Sequence, residues 1–310
     1  VKEIWEISMN LNIHSQFKPQ LQVTVFFAIT QLLGVFSGAV LFQAIASNPE
    51  LQEFTVAPLA TNDPANALFF LGYVLFGAAM VLLVGRLFKG AAFFQLLEAV
   101  VIASASSVVF LAVGLFAGLG FEYALIVGGI AGCSLAALKY FWQEIKNSAA
   151  IISSAGVAAM FGFSLGFLPT ALFVILLSIY DYVAVFKTKH MIEMARQLST
   201  RQLSFAVTAK NVPARKEGEA REVYVERAMR EGERLDLGTG DLSVPGMMAV
   251  SALSLGPNGM IYALAIAAGS TISIWLLLEF VAKRRVFLPA LPPICFGGML
   301  ALLVVKLAGF

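Results

Sequence analysis

Charge is the scarcest feature of this 310-residue chain: Asp, Glu, Lys and Arg make up 13% of it against 59% hydrophobic residues, and the mean hydropathy is +0.84. A soluble domain of this length carries about twice that share of charge, so a separate soluble enzyme domain is excluded. Histidine is nearly missing. His14 and His190 both lie near or outside the boundaries of the apolar stretches, which removes a His-Glu-x-x-His metal helix and a membrane-embedded Ser–His pair. The two cysteines, Cys133 and Cys295, fall inside apolar stretches; no disulfide framework is indicated, and both are expected to be small core residues. The polar start up to about Gln20 lacks the short apolar region and small-residue cleavage site of a signal peptide, so the first span is expected to direct insertion. Short alternating segments, the mark of a membrane barrel, are also lacking. The net charge of +2 gives no reason to expect nucleic acid, because the basic residues sit beside the hydrophobic runs.

What is present is a series of such runs. A hydrocarbon core needs about 20 apolar residues per helical span, and spans are expected at Val23–Ala46, Asn66–Phe88, Ala91–Ala117 and Phe121–Phe141. The region Ser148–Phe186 is too long for one helix, and Gly166 with Pro169 is expected to turn it into two. Gly238–Leu255, Asn258–Ala282 and Val286–Leu307 complete nine, with Gly256-Pro257-Asn258-Gly259 turning between the first two of these. With that count, all the Lys and Arg residues but Lys306 fall on one side. The positive-inside rule then puts the N-terminus in the cytoplasm and the C-terminus outside. The expected fold is an all-α, polytopic bundle of nine spans. It divides into a six-span part over 1–186, a charged cytoplasmic loop over 187–237 and a three-span part over 238–310. Residues 187–236 carry 11 basic and 8 acidic residues. The stretch Gly218–Arg234 could place Val223, Val225, Ala228 and Met229 on a surface helix, but its charge density favours a mobile segment.

Carboxylates inside such a bundle are informative, because an ionisable group at a helix centre costs roughly 2.5 to 3.5 kcal/mol on insertion scales. Asp181 lies six residues before Lys187 and thus about 9 Å below that boundary; Asp241 lies five residues after Asp236 in an oppositely running span, about 7.5 Å deep. Two carboxylates at one level on adjacent helices can share a water. Glu98, about 13 Å beyond Lys89 by helical rise, is expected to pair with a nearby Gln or Ser rather than serve an ion path. Glu279, four residues before Lys283, reads as an ion pair near a helix end. Pro289-Ala290-Leu291-Pro292-Pro293 begins about 6 Å inside the membrane. Irregular backbone persists at that depth only where protein or a water-lined cavity surrounds it.

Tyr180-Asp181, Gly238-Thr239-Gly240-Asp241 and Pro289-Ala290-Leu291, in that order on spans six, seven and nine, resemble the three signatures of the presenilin and signal peptide peptidase family of intramembrane aspartyl proteases. Tyr180 to Val185 is similar to presenilins, and Val244-Pro245-Gly246 is more like signal peptide peptidases; the whole resembles the short archaeal-type members. The resemblance implies an intramembrane aspartyl endopeptidase with Asp181 and Asp241 as catalytic residues. Tyr180, Gly238, Thr239, Gly240, Pro289, Ala290 and Leu291 would shape the site or bind substrate. It implies no metal or organic cofactor, transmembrane-helix substrates reached from the lipid bilayer, and no indicated accessory subunits. The active site would lie near the cytoplasmic side. Thr239 stands where the family often has Leu, which bears on substrate preference or cleavage position and leaves both carboxylates in place. The loop is short beside animal presenilins and has no hydrophobic plug, which argues against autoproteolytic maturation.

A dyad of this kind works with one member protonated and one ionised, so activity is expected to follow a bell in pH. Hydrolysis also requires local unwinding of the substrate helix, which favours Gly, Ser, Asn or Pro near the cut. The alternative from another class is a proton-coupled transporter or channel in which Asp181, Asp241 and Glu98 relay protons. No inverted repeat supports it.

Overall fold

The computed structural model describes residues 19–47, 56–87, 91–183, 206–211, 233–284 and 289–309. Nine α-helices occupy most of them: α1 Pro19–Ser47, α2 Ala65–Leu87, α3 Ala91–Phe116, α4 Phe121–Phe141, α5 Lys146–Ser164, α6 Phe167–Val183, α7 Thr239–Ser251, α8 Gly259–Arg284 and α9 Leu291–Leu307. By length and composition α1, α3, α4, α5 and α8 can each cross a membrane, and α2, α6 and α9 hold shorter apolar stretches. Large apolar side chains such as Phe76, Ile130 and Phe296 point outward from the bundle. In water that surface would be unstable; against lipid it is the expected outer face.

The helices pack through small residues. One face of α5 buries Ala149, Ala150, Ser153, Ser154, Ala155, Ala158, Ala159 and Gly162, and this lets α5 lie close against α1, α3 and α7. A Cβ at Gly156 would collide with the Ala105 carbonyl of α3, so only glycine permits that approach. At the centre runs α7, buried from Leu242 to Ser251 except for the half-exposed Val244. It touches α1, α5, α6, α8 and α9. The turn after it contains Gly256 at φ 103°, a left-handed conformation that suits glycine.

Several boundaries depart from the hydropathy reading. The break in the long fifth run falls at Leu165-Gly166, but Pro169 is inside the first turn of α6, where its missing N–H costs nothing. The seventh span ends as a 3-10 turn over Ala252–Ser254. The ninth helix starts at Leu291, five residues later than Val286, because Pro292 and Pro293 suit a first turn and cannot sit further inside. Cys295 is buried as expected, but Cys133 is exposed on α4 and is no core residue.

The charged segment is not wholly loop. Ala206–Asn211 (β1) and Glu233–Gly238 (β2) form an antiparallel ribbon in which Val207 faces Leu237 and Ala209 faces Leu235. The cause is period-two alternation within a polar composition: Val207, Ala209 and Leu237 are buried against Val23 and Phe27 of α1 and Ala150 and Ile151 of α5. Asn147 of α5 anchors β1 from its outer edge, accepting from the Thr208 N–H at 3.0 Å and donating to the Thr208 carbonyl at 2.8 Å. Of the stretch Gly218–Arg234, expected as a mobile segment with a surface helix as the alternative, 218–232 lie outside the described residues, and Glu233 and Arg234 belong to β2.

Candidate active site

On α6, Thr170, Val174, Leu177 and Asp181 recur every three or four residues and form one buried stripe. Asp181 is therefore carried inward by the same periodicity that buries its apolar neighbours, and it is 8% exposed. Tyr180 and Tyr182, on either side of it, face outward. The second carboxylate arrives differently. Strand β2 ends at Gly238, which is the N-cap of α7 and has an extended conformation, so Asp241 stands in the first helical turn at the third position. From there it reaches back towards the Gly238 N–H, which faces its carboxyl as a donor. This is the side-chain half of a capping box.

The third element at the site is α9. Its prolines occupy the first turn, and the Leu291 N–H, one of the donors every helix start leaves without an intrahelical partner, faces the Asp181 carboxyl. Leu291 is itself buried, as is Pro289, while Ala290 caps the helix. Thus α6, α7 and α9 bring Asp181, Asp241 and Leu291 to one place, and Asp181 lies within electrostatic reach of Asp241. Oδ2 of Asp181 is buried and has no hydrogen-bond partner among the described residues.

Thr239 and Gly240 open onto a cavity of about 490 Å³ between α2, α3, α5, α6 and α7, whose wall includes Phe70, Tyr73 and Phe173. A second cavity of about 480 Å³ lies between α6, α7 and α9, bordered by Ser178, Tyr182, Pro292 and Phe296. Neither carboxylate lines the wall of either cavity, but their chain neighbours do: Thr239 and Gly240 border the first, Ser178 and Tyr182 the second.

Two neighbours were missed in the sequence reading of the site. Cys295, one helical turn beyond Leu291, senses both carboxylates and is hydrogen-bonded to the Ser178 hydroxyl. Helical spacing alone could have flagged them, since Ser178 is three residues before Asp181 and Cys295 four after Leu291. Glu98 requires a correction. In place of the expected Gln or Ser it forms an ion pair with Lys139 of α4, at 2.7 Å, with both groups nearly buried. The pairing crosses between helices, where sequence spacing carries no information. Glu279 and Lys283 do stand 4.0 Å apart on the exposed face of α8.

A family profile described as signal-peptide peptidase, presenilin aspartyl protease matches residues 23–309. Among solved structures, a presenilin family intramembrane aspartate protease in space group C222 is 24% identical, with a TM-score of 0.64 over 94% of this chain and 100% of that one. The same description in space group P2 gives 25% identity and a TM-score of 0.58 over 90% and 97%. No curated protein sequence matches significantly.

Proposed function

Since the chain belongs to the signal-peptide peptidase and presenilin aspartyl protease family and is an intramembrane aspartyl protease, we propose that Asp181 and Asp241 are its catalytic pair. The observation that carries this reading is the meeting of two carboxylates on α6 and α7 within electrostatic reach, each faced by one backbone donor, Leu291 or Gly238. Two such groups in a low-dielectric setting do not readily both ionise, so the pair holds one proton. The ionised member takes a proton from a water as that water attacks the scissile carbonyl. The protonated member gives its proton to the carbonyl oxygen, and a neutral gem-diol results without a covalent enzyme intermediate. Collapse of the gem-diol returns a proton to the pair and delivers one to the leaving amine. Which aspartate starts with the proton is a property of the coupled pair.

Tyr180, Gly238, Thr239, Gly240, Pro289, Ala290 and Leu291 shape the site in this proposal. Gly240 is exposed and has open space where a Cβ would stand, which suits close passage of a substrate backbone. Substrates are transmembrane helices that must unwind at the cut, and an unwound segment needs hydrogen-bond partners at membrane depth. Asn147 already occupies the outer edge of β1 at Thr208, so an added strand would pair along β2, which leads into Gly238. All nine helices are assigned as crossing or entering the membrane, with the N-terminus cytoplasmic and the site near that side, in agreement with the distribution of Lys and Arg. The chain would then comprise a six-helix part over 1–186, a cytoplasmic segment over 187–237 that includes the ribbon, and a three-helix part over 238–310. No accessory subunit is needed in this reading.

The test is cleavage of a tagged membrane-helix substrate by the purified chain across pH. A bell is expected, falling in acid where both carboxyls are protonated and in alkali where both are charged, together with inhibition by a hydroxyl transition-state mimic. Proteolysis that is insensitive to the mimic and lacks the bell would overturn the assignment. Gradient-driven uptake without cleavage would point instead to proton transport.

A further inference from the structure

We propose that Gln31 of α1 is a positioning residue that holds Asp241 in place through the neighbouring backbone carbonyl of Leu242; the proposal rests on the catalytic reading of Asp241. Gln31 is completely buried in an otherwise largely apolar helix. Its Nε2 donates to the Leu242 carbonyl at 2.9 Å, while Oε1 is buried and makes no hydrogen bond among the described residues. A Leu would fill this space without leaving an orphaned polar atom, so packing alone does not explain an amide here.

What the amide supplies is a restraint where α7 is weakest. Pro245 stands inside the helix and has no N–H, so the Asp241 carbonyl four residues earlier lacks its intrahelical donor. The turn carrying the carboxylate is therefore free to loosen on one side. The carbonyls that flank it are tied from outside α7. Thr239 receives Ser154 Oγ of α5 at 3.5 Å as well as Ser243 Oγ at 2.8 Å, and Leu242 receives Gln31 of α1. At Gly246 a Cβ would lie 2.8 Å from the Ala158 Cβ of α5 and 3.3 Å from Oε1, so the glycine leaves room both for α5 and for the amide. Thus the Pro245-Gly246 pair both weakens the turn and admits the side chain that steadies it.

Gln31→Leu and Gln31→Met remove the donor at similar volume. With a membrane-helix substrate, kcat is expected to fall by about tenfold or more, as small misplacements of a reacting group do, with KM and Tm unchanged. Affinity for the hydroxyl transition-state mimic should fall by the same factor as kcat/KM. Wild-type kcat in both variants would overturn the proposal, as would a kcat loss accompanied by a matching fall in Tm or by misfolding of both, which would make Gln31 merely structural. Asp241→Asn, run in parallel, separates the two levels: if it retains activity the catalytic reading itself fails. If it is inactive while Gln31→Leu keeps wild-type kcat, only the inference about Gln31 fails.

Discussion

The α3–α4 hairpin and the meeting point of α6, α7 and α9 solve the same membrane problem in opposite ways. Helices α3 and α4 run 26 and 21 residues without interruption and satisfy their backbone internally. Their charged groups include the Glu98–Lys139 pair, in which each charge faces a partner. At the other region, α7 has only 13 residues with a proline inside it, and α9 starts on a pair of prolines. Both helix starts aim backbone N–H groups at carboxylates instead of spending them on solvent. Continuity gives a stable wall, and interruption at a shared level gives free donors that can serve chemistry.

The comparison predicts that the two regions fail differently when altered. Asp181→Asn or Asp241→Asn should cut kcat by about 10² to 10⁴-fold, the range for general acid–base groups, with no fall in Tm, because each change removes a charge from an apolar setting. Thermal melting alongside cleavage assays reads both; an inactive and less stable Asn variant would show that the carboxylates also hold the fold. Lys139→Met should do the reverse. It leaves Glu98 buried without its counter-ion, at a cost of about 3 to 5 kcal/mol, and is read as a lower denaturation midpoint in detergent; the double change Glu98→Gln with Lys139→Met should recover most of it.

A smaller effect is expected at the packing contact behind both regions. Gly156→Ala sets a Cβ against the Ala105 carbonyl, and because both partners are backbone the helices must part, which costs about 1 to 3 kcal/mol. Unchanged stability would mean that α3 and α5 do not approach as described. The smallest effect belongs to the outer face of the hairpin: Ile130→Val, at a largely exposed position, should change stability by no more than about 0.5 kcal/mol.

The order of elements was legible because membrane helices announce themselves one at a time, through length and composition. The span Phe121–Phe141 matches α4 to the residue, and Asp181 is legible as an intramembrane carboxylate from its six-residue distance to Lys187. The ribbon was not legible. Its alternation covers only six residues per strand, its two halves lie more than twenty residues apart, and its apolar side chains are sparse within a charged segment. The Glu98–Lys139 pair was hidden for a related reason, since it joins two helices at positions that no local spacing connects.

By itself, then, the sequence determined that the chain is an α-helical membrane protein, which residues carry the family's three signatures, and in what order they occur. Each of these follows from composition or from neighbours within a few turns, which is the range over which hydrophobic periodicity and helix rise act. Only the tertiary structure decided that Leu291 serves Asp181 with its backbone, that a strand delivers Gly238 to the start of α7, and that Gln31, 211 residues from its partner, ties down the carbonyl beside Asp241. Those contacts depend on how closely helices approach one another, and that distance is set by small side chains packing from several segments at once.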